Sequence, residues 1–140
     1  MANFLDATWL DMVPTGWQEK FKETCDKIAT ILDEYKIPQE SFGFIDVKEK
    51  WGELRVFYHI ECPDGLSDES WKEAIGKIDI EFEALRVETG TLCVECGDTA
   101  TMVSEGYILP FCECCAIAYN RAANARHKTD VPLEKAFRKI

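Results

Sequence analysis

Two pairs of cysteines constrain this chain more than any other feature. Cys93-Val94-Glu95-Cys96-Gly97 and Cys112-Glu113-Cys114-Cys115 are C-x2-C motifs separated by 15 residues, a spacing at which four thiolates converge on one zinc ion. Each C-x2-C turn offers two sulfurs from neighbouring backbone corners, and the glycine after Cys96 relieves the tight turn that aims them. Ala100-Thr101-Met102-Val103 and Tyr107-Ile108-Leu109, around Ser104-Glu105-Gly106, are expected to form a short hairpin that returns the chain to the same ion. The expected product is a zinc ribbon, or a treble-clef-like arrangement, over residues 91–116.

Four thiolates close the coordination shell of zinc, so such a site contributes folding energy rather than Lewis-acid chemistry. The ion and its thiolates together carry about −2, which takes the formal net charge from −10 to about −12. A redox dithiol is the competing reading of a lone C-x-x-C; two pairs at this spacing favour metal. Cys114 could pair with Cys112 as C-x-C, and His127 could replace a thiolate. Geometry favours Cys115, and His127 fits an exposed place on a basic helical tail. Cys25 lies on an apolar stripe and Cys62 at a strand end, as small half-buried residues do.

The rest of the chain divides by hydrophobic period. Trp17, Phe21, Cys25, Ile28, Leu32 and Tyr35 recur at helical spacing after a capping-box pattern at Thr15-Gly16-Trp17-Gln18, and Pro38 is expected to end that helix. Leu54, Val56, Tyr58 and Ile60 alternate with polar or outward residues, which predicts a strand with one buried face. Phe42, Phe44, Ile45 and Val47 supply an antiparallel partner, with Lys48-Glu49-Lys50-Trp51-Gly52 as the turn. Trp71, Ile75, Ile78, Phe82 and Leu85 mark a second helix, closed by Gly90 and interrupted by Gly76, where a close neighbour is expected. Ala116 to Ala125 form an Ala-rich helix, and Leu133, Ala136, Phe137 and Ile140 a final helical turn or two. The fold class expected is α+β: two helices on a small antiparallel hairpin (residues 1–90), a zinc ribbon (91–116) and a short basic helical tail (117–140).

Charge separates these parts. Residues 1–90 hold 20 acidic and 10 basic side chains, whereas residues 116–140 hold two acidic and six basic ones. The first part should repel nucleic acid and attract basic protein surfaces; the tail could do the opposite. Met1 to Asp6 lacks the basic start and apolar run of a signal peptide, and no stretch approaches the roughly 20 apolar residues of a membrane span. Seven cysteines, four of them in metal-type motifs, suit a reducing cytoplasm rather than a disulfide framework.

Catalytic motifs are scarce. Asp46-Val47-Lys48 with Glu49 resembles half of a metal-dependent nuclease site, but Pro63-Asp64 follows it in the reverse of the usual order, so a charged hairpin tip is the preferred reading. His59 and Glu61 are an ordinary pair on a wet strand face. Trp17 and Trp71 belong to core stripes; Trp51 either folds over the sheet or stands out as an anchor for a partner.

Gly16-Trp17, the run Val47-Lys48-Glu49-Lys50-Trp51-Gly52-Glu53-Leu54-Arg55-Val56-Phe57-Tyr58 and the two C-x2-C motifs together resemble a set of small uncharacterised bacterial and bacteriophage proteins. Those share a Lys-Glu-Lys-aromatic-Gly hairpin followed by a four-cysteine knuckle. The resemblance covers roughly residues 16–116; it implies a bacterial or phage origin and carries no activity.

The function expected is that of a non-enzymatic, zinc-containing cytoplasmic binding protein whose acidic surface docks on a basic site of a host or defence protein; mimicry of nucleic acid, inhibiting that protein, is one form this docking could take. Trp51, Lys48, Glu49 and Arg126 are its candidate partner-binding residues. The alternative is a nucleic-acid binder that uses the basic tail, Arg121, Arg126, Lys128, Lys135, Arg138 and Lys139.

Overall fold

The computed structural model describes residues 2–140. A short helix α1 (Ala7–Asp11) is capped by the Asp6 carboxylate, which accepts from the Trp9 amide. A 3-10 turn at Thr15–Trp17 leads into α2 (Gln18–Glu34). The expected capping box does not form. Thr15 makes no capping bond, and the Gln18 amide instead donates to the carbonyls of Leu10 and Val13 at 3.3 and 3.1 Å. The reason is tertiary: the Gly16 N–H donates to the Val94 carbonyl at 2.9 Å, which fixes the chain before α2 begins.

α2 buries Phe21, Cys25, Ile28 and Leu32 along one face, as their spacing requires. It stops before Pro38, at Lys36, whose φ of +56° is left-handed. Lys36 N–H bonds the Asp33 carbonyl and Ile37 N–H the Leu32 carbonyl, the two bonds of a Schellman motif, and Ile37 is buried against the core as that motif favours.

β1 (Phe42–Lys50) and β2 (Glu53–Ile60) pair antiparallel from Phe42↔Ile60 to Lys50↔Glu53. Lys48, Glu49 and Lys50 are thus strand residues, and the turn is only Trp51-Gly52. Both have positive φ, +57° and +79°, the signature of a type I′ turn whose twist matches the strands. A tryptophan there is strained by about 1 kcal/mol or more. A bulge sits between Phe44 and Asp46. It lets Phe44 and Val47, three residues apart, both face the core and leaves Ile45 62% exposed, which corrects the expectation that Ile45 belongs to the buried face.

α3 (Asp68–Thr89), capped by Ser67, packs with α2 on the inner face of the hairpin. Phe42 stacks on Tyr58 at 5.3 Å, and Tyr58 meets Phe82 at 5.4 Å, so the two layers join through aromatic rings. Thr89 is fully buried; its hydroxyl accepts from the Leu54 amide at 2.9 Å and donates to the Arg86 carbonyl. This satisfies a β2 edge group that no strand covers. No helix is long and apolar enough to cross a membrane among the described residues.

Gly76 has no close neighbour: a Cβ built there meets nothing within 4 Å. The expected contact is absent, and the glycine only loosens the helix. Gly76→Ala is therefore expected to stabilise the chain by about 1 kcal/mol, read as a higher urea midpoint with an unchanged slope. Gly90 does follow α3, but with φ of −61° it ends the helix without a left-handed turn.

The C-terminal part contains β3 (Met102–Ser104), β4 (Pro110–Phe111), α4 (Glu113–His127), α5 (Leu133–Ala136) and β5 (Phe137–Lys139). The strands form one antiparallel sheet in the order β4-β3-β5. The expected helical end is corrected here: only Leu133–Ala136 is helical, and Phe137–Lys139 pairs with the free edge of β3. Burial of Phe137 drives this, its ring held 5.1 Å from Phe111 and 6.2 Å from Tyr119. A spacing of three and four residues fits one helical turn followed by a strand as well as it fits two turns.

Candidate metal centre

Leu92 and Thr99 bridge the base of a loop in which the Gly97 N–H bonds the Cys93 carbonyl at 2.9 Å and the Cys93 N–H the Asp98 carbonyl at 2.7 Å. Gly97, at φ +83°, makes this turn possible. Cys93 and Cys96 stand on its two sides. The second pair comes from the start of α4. There Cys112 is the N-cap and its sulfur accepts the Cys115 amide at 3.4 Å, so two ligands lie one turn apart at the positive end of a helix.

All four Sγ atoms lie within 4.8 Å of one another. Cys96 and Cys112 sulfurs are 3.7 Å apart, and a tetrahedral ion with metal–sulfur bonds of about 2.3 Å requires edges of about 3.8 Å. The residues fit a metal ion of that kind. Electrostatics agree. Burial raises the Cys93 thiol, but hydrogen bonds from the backbone of Cys112, Cys96 and Glu95 outweigh it and bring the pKa down to about 7. Cys115 is pushed well above its ordinary value by burial, then by its hydrogen bonds with Cys112, Cys96 and Cys93. The Cys93 thiolate forms readily and Cys115 resists joining it, as expected where anionic sulfurs stand close together.

Cys114 is exposed and His127 lies in the last turn of α4; neither joins the cluster. Cys62 is exposed, and Cys25 is a core residue whose thiol burial pushes up to about 12.

The centre is not an appendage. Gly16 and Gly97 touch backbone to backbone: a Cβ on Gly16 would sit 2.1 Å from the Cys93 carbonyl, and one on Gly97 2.6 Å from the Gly16 carbonyl. Beside them the fully buried Trp17 ring donates to the Leu92 carbonyl at 2.9 Å. Sequence spacing placed Trp17 on a core stripe without showing that its N–H reaches the metal loop; the Gly-Trp pair was the available signal.

The other candidate residues are scattered. Trp51, 64% exposed, stands at the hairpin tip. Lys48 pairs with Asp46 at 3.3 Å and lies 5.6 Å from the centre of the Phe57 ring. Glu49 accepts from the Gly52 amide at 2.8 Å and from the Tyr107 hydroxyl, so it clamps the turn and joins it to the β3–β4 loop. Arg126 lies near the end of α4 and shares no hydrogen bond or ion pair with the hairpin among the described residues. The His59 ring covers Gly43, where a Cβ would meet Nε2 at 2.6 Å.

The chain matches no protein-family model, no curated protein and no solved structure.

Proposed function

We propose that the chain is a non-enzymatic cytoplasmic binding module, clasped by one zinc ion, whose acidic helical part docks on a basic protein surface. Zinc is the ion of choice for four thiolates in a closed tetrahedron. The order knuckle, hairpin, helix N-terminus supports a treble-clef-like arrangement rather than a ribbon of two knuckles. A full set of four thiolates leaves no open position for a substrate, which supports a structural role. The hairpin resemblance supports a bacterial or phage origin.

One observation carries the docking reading. Six of the ten basic side chains before residue 91, Lys20, Lys27, Lys48, Arg55, Lys77 and Arg86, are already ion-paired within the chain. The acidic surplus is therefore uncompensated. Glu40, Glu61, Asp64, Asp68 and Glu69 are exposed at the open end of the hairpin and the start of α3, without an ion pair among the described residues. Such a field attracts and orients a basic partner.

The second reading has its own observation: all six basic side chains of residues 116–140 are exposed and none is ion-paired among the described residues. Fluorescence polarisation with duplex and single-stranded probes separates the two. Docking through the acids predicts no binding of either probe at low salt, and a nuclease-resistant protein partner lost when the five acids become Gln or Asn. Binding that falls steeply with salt would instead establish phosphate contacts by the tail.

A further inference from the structure

The tips of the two hairpins meet around a cleft of about 260 Å³ lined by Glu49, Lys50, Trp51, Gly106, Tyr107 and Ile108. Its two rings are the most exposed aromatic side chains on the molecule, Trp51 at 64% and Tyr107 at 69%. Trp51 makes no ring–ring contact among the described residues, and it occupies a left-handed turn position that asparagine or glycine would take without strain. A large, strained, solvated side chain at such a place is explained by what it binds rather than by what it packs against.

The cleft holds one carboxylate, that of Glu49. Glu49 accepts one hydrogen bond from Gly52 and one from Tyr107, while a carboxylate has about four acceptor sites. About two remain for a guest. Aromatic faces beside a carboxylate recognise a cation, and a planar guanidinium can stack on an indole while it bonds the carboxylate. We infer that this cleft is the anchor pocket for an arginine side chain projecting from a basic protein partner. The inference rests on the docking reading above, whose net charge of −10 supplies the complementary field. Lys50 borders the cleft and its charge opposes a cationic guest, so its removal has a diagnostic sign.

The test is a titration of the full chain, followed by amide and indole NMR, with an arginine-containing Gly-Ser peptide and its citrulline counterpart. The arginine peptide is expected to move the Trp51 indole signal saturably, and the neutral isostere to move it far less. Trp51→Asn is expected to weaken binding at least tenfold while melting no lower than the parent chain, because asparagine suits the turn. Tyr107→Ala should weaken it similarly, and Lys50→Ala should tighten it. Equal shifts from citrulline, weaker binding in Lys50→Ala, or lost binding only together with lost folding in Trp51→Asn would each overturn the inference. Shifts confined to Glu40, Glu61, Asp64, Asp68 and Glu69 would overturn it while the docking reading stands; no shift anywhere would overturn both.

Discussion

Stripping the metal with a chelator is expected to unfold residues 91–140 and loosen the entry to α2, while α3 and most of α2 remain helical. The magnitude follows from linkage. Structural zinc sites contribute apparent binding free energies of about 10–16 kcal/mol, comparable with the whole stability of a small domain, about 5–15 kcal/mol. The sheet β4-β3-β5 has strands of only two or three residues, too little to persist without the ion. Phe21, Ile28, Leu32, Ile78 and Phe82 lie on α2 and α3, in the part of the continuous core that these helices share with the hairpin. Circular dichroism before and after chelation reads the difference: a partial loss of helix with a large loss of near-ultraviolet signal, both restored by zinc. An unchanged spectrum would mean that the sheet stands without its clasp.

Gly16→Ala is the point substitution expected to do most damage, at about 3 kcal/mol. Its methyl group would stand 2.1 Å from the Cys93 carbonyl, 2.7 Å from the Gly97 nitrogen and 2.8 Å from the Val94 carbonyl carbon. All three are backbone atoms, so no side chain can swing away. The Gly16 segment must lift, which breaks the Gly16–Val94 bond and unseats the Trp17 ring from Leu92. For a chain with a urea slope of about 1–3 kcal/mol/M the midpoint should fall by roughly 1–3 M. Gly76→Ala, in open space on α3, should move it the other way. A Gly16→Ala chain as stable as its parent would show that the two parts do not rest on each other as described.

What the sequence revealed and what it hid follow from the range of the forces. The cysteines were legible because C-x2-C spacing is a local geometric requirement, and the two long helices because their apolar stripes repeat over several turns. The alternation of Leu54, Val56, Tyr58 and Ile60 likewise announced β2. Contacts across the chain were not legible. Thr15 and Gln18 fit a capping box, yet the Val94 carbonyl 78 residues onward takes the Gly16 amide. Phe137 carried a helical spacing, but pairing with the open edge of β3 and burial against Phe111 decided its conformation. The bulge at Ile45 changes which residues share a face, and a period-two reading has no place for it. At the hairpin tip, Glu49 looked like a free surface charge; only the fold brings Tyr107 to it and turns the tip into one wall of a cleft.

The cleft proposed between the two hairpin tips depends on the clasp that holds its wall of residues 106–108. Zinc-edge X-ray absorption of the purified chain, with metal content by mass spectrometry, tests it most directly. The account predicts one zinc per chain with four sulfur neighbours at about 2.3 Å. A chain that binds no metal, or a shell of three sulfurs with an oxygen or nitrogen, would contradict it; the mixed shell would also reopen the case for catalysis at the metal.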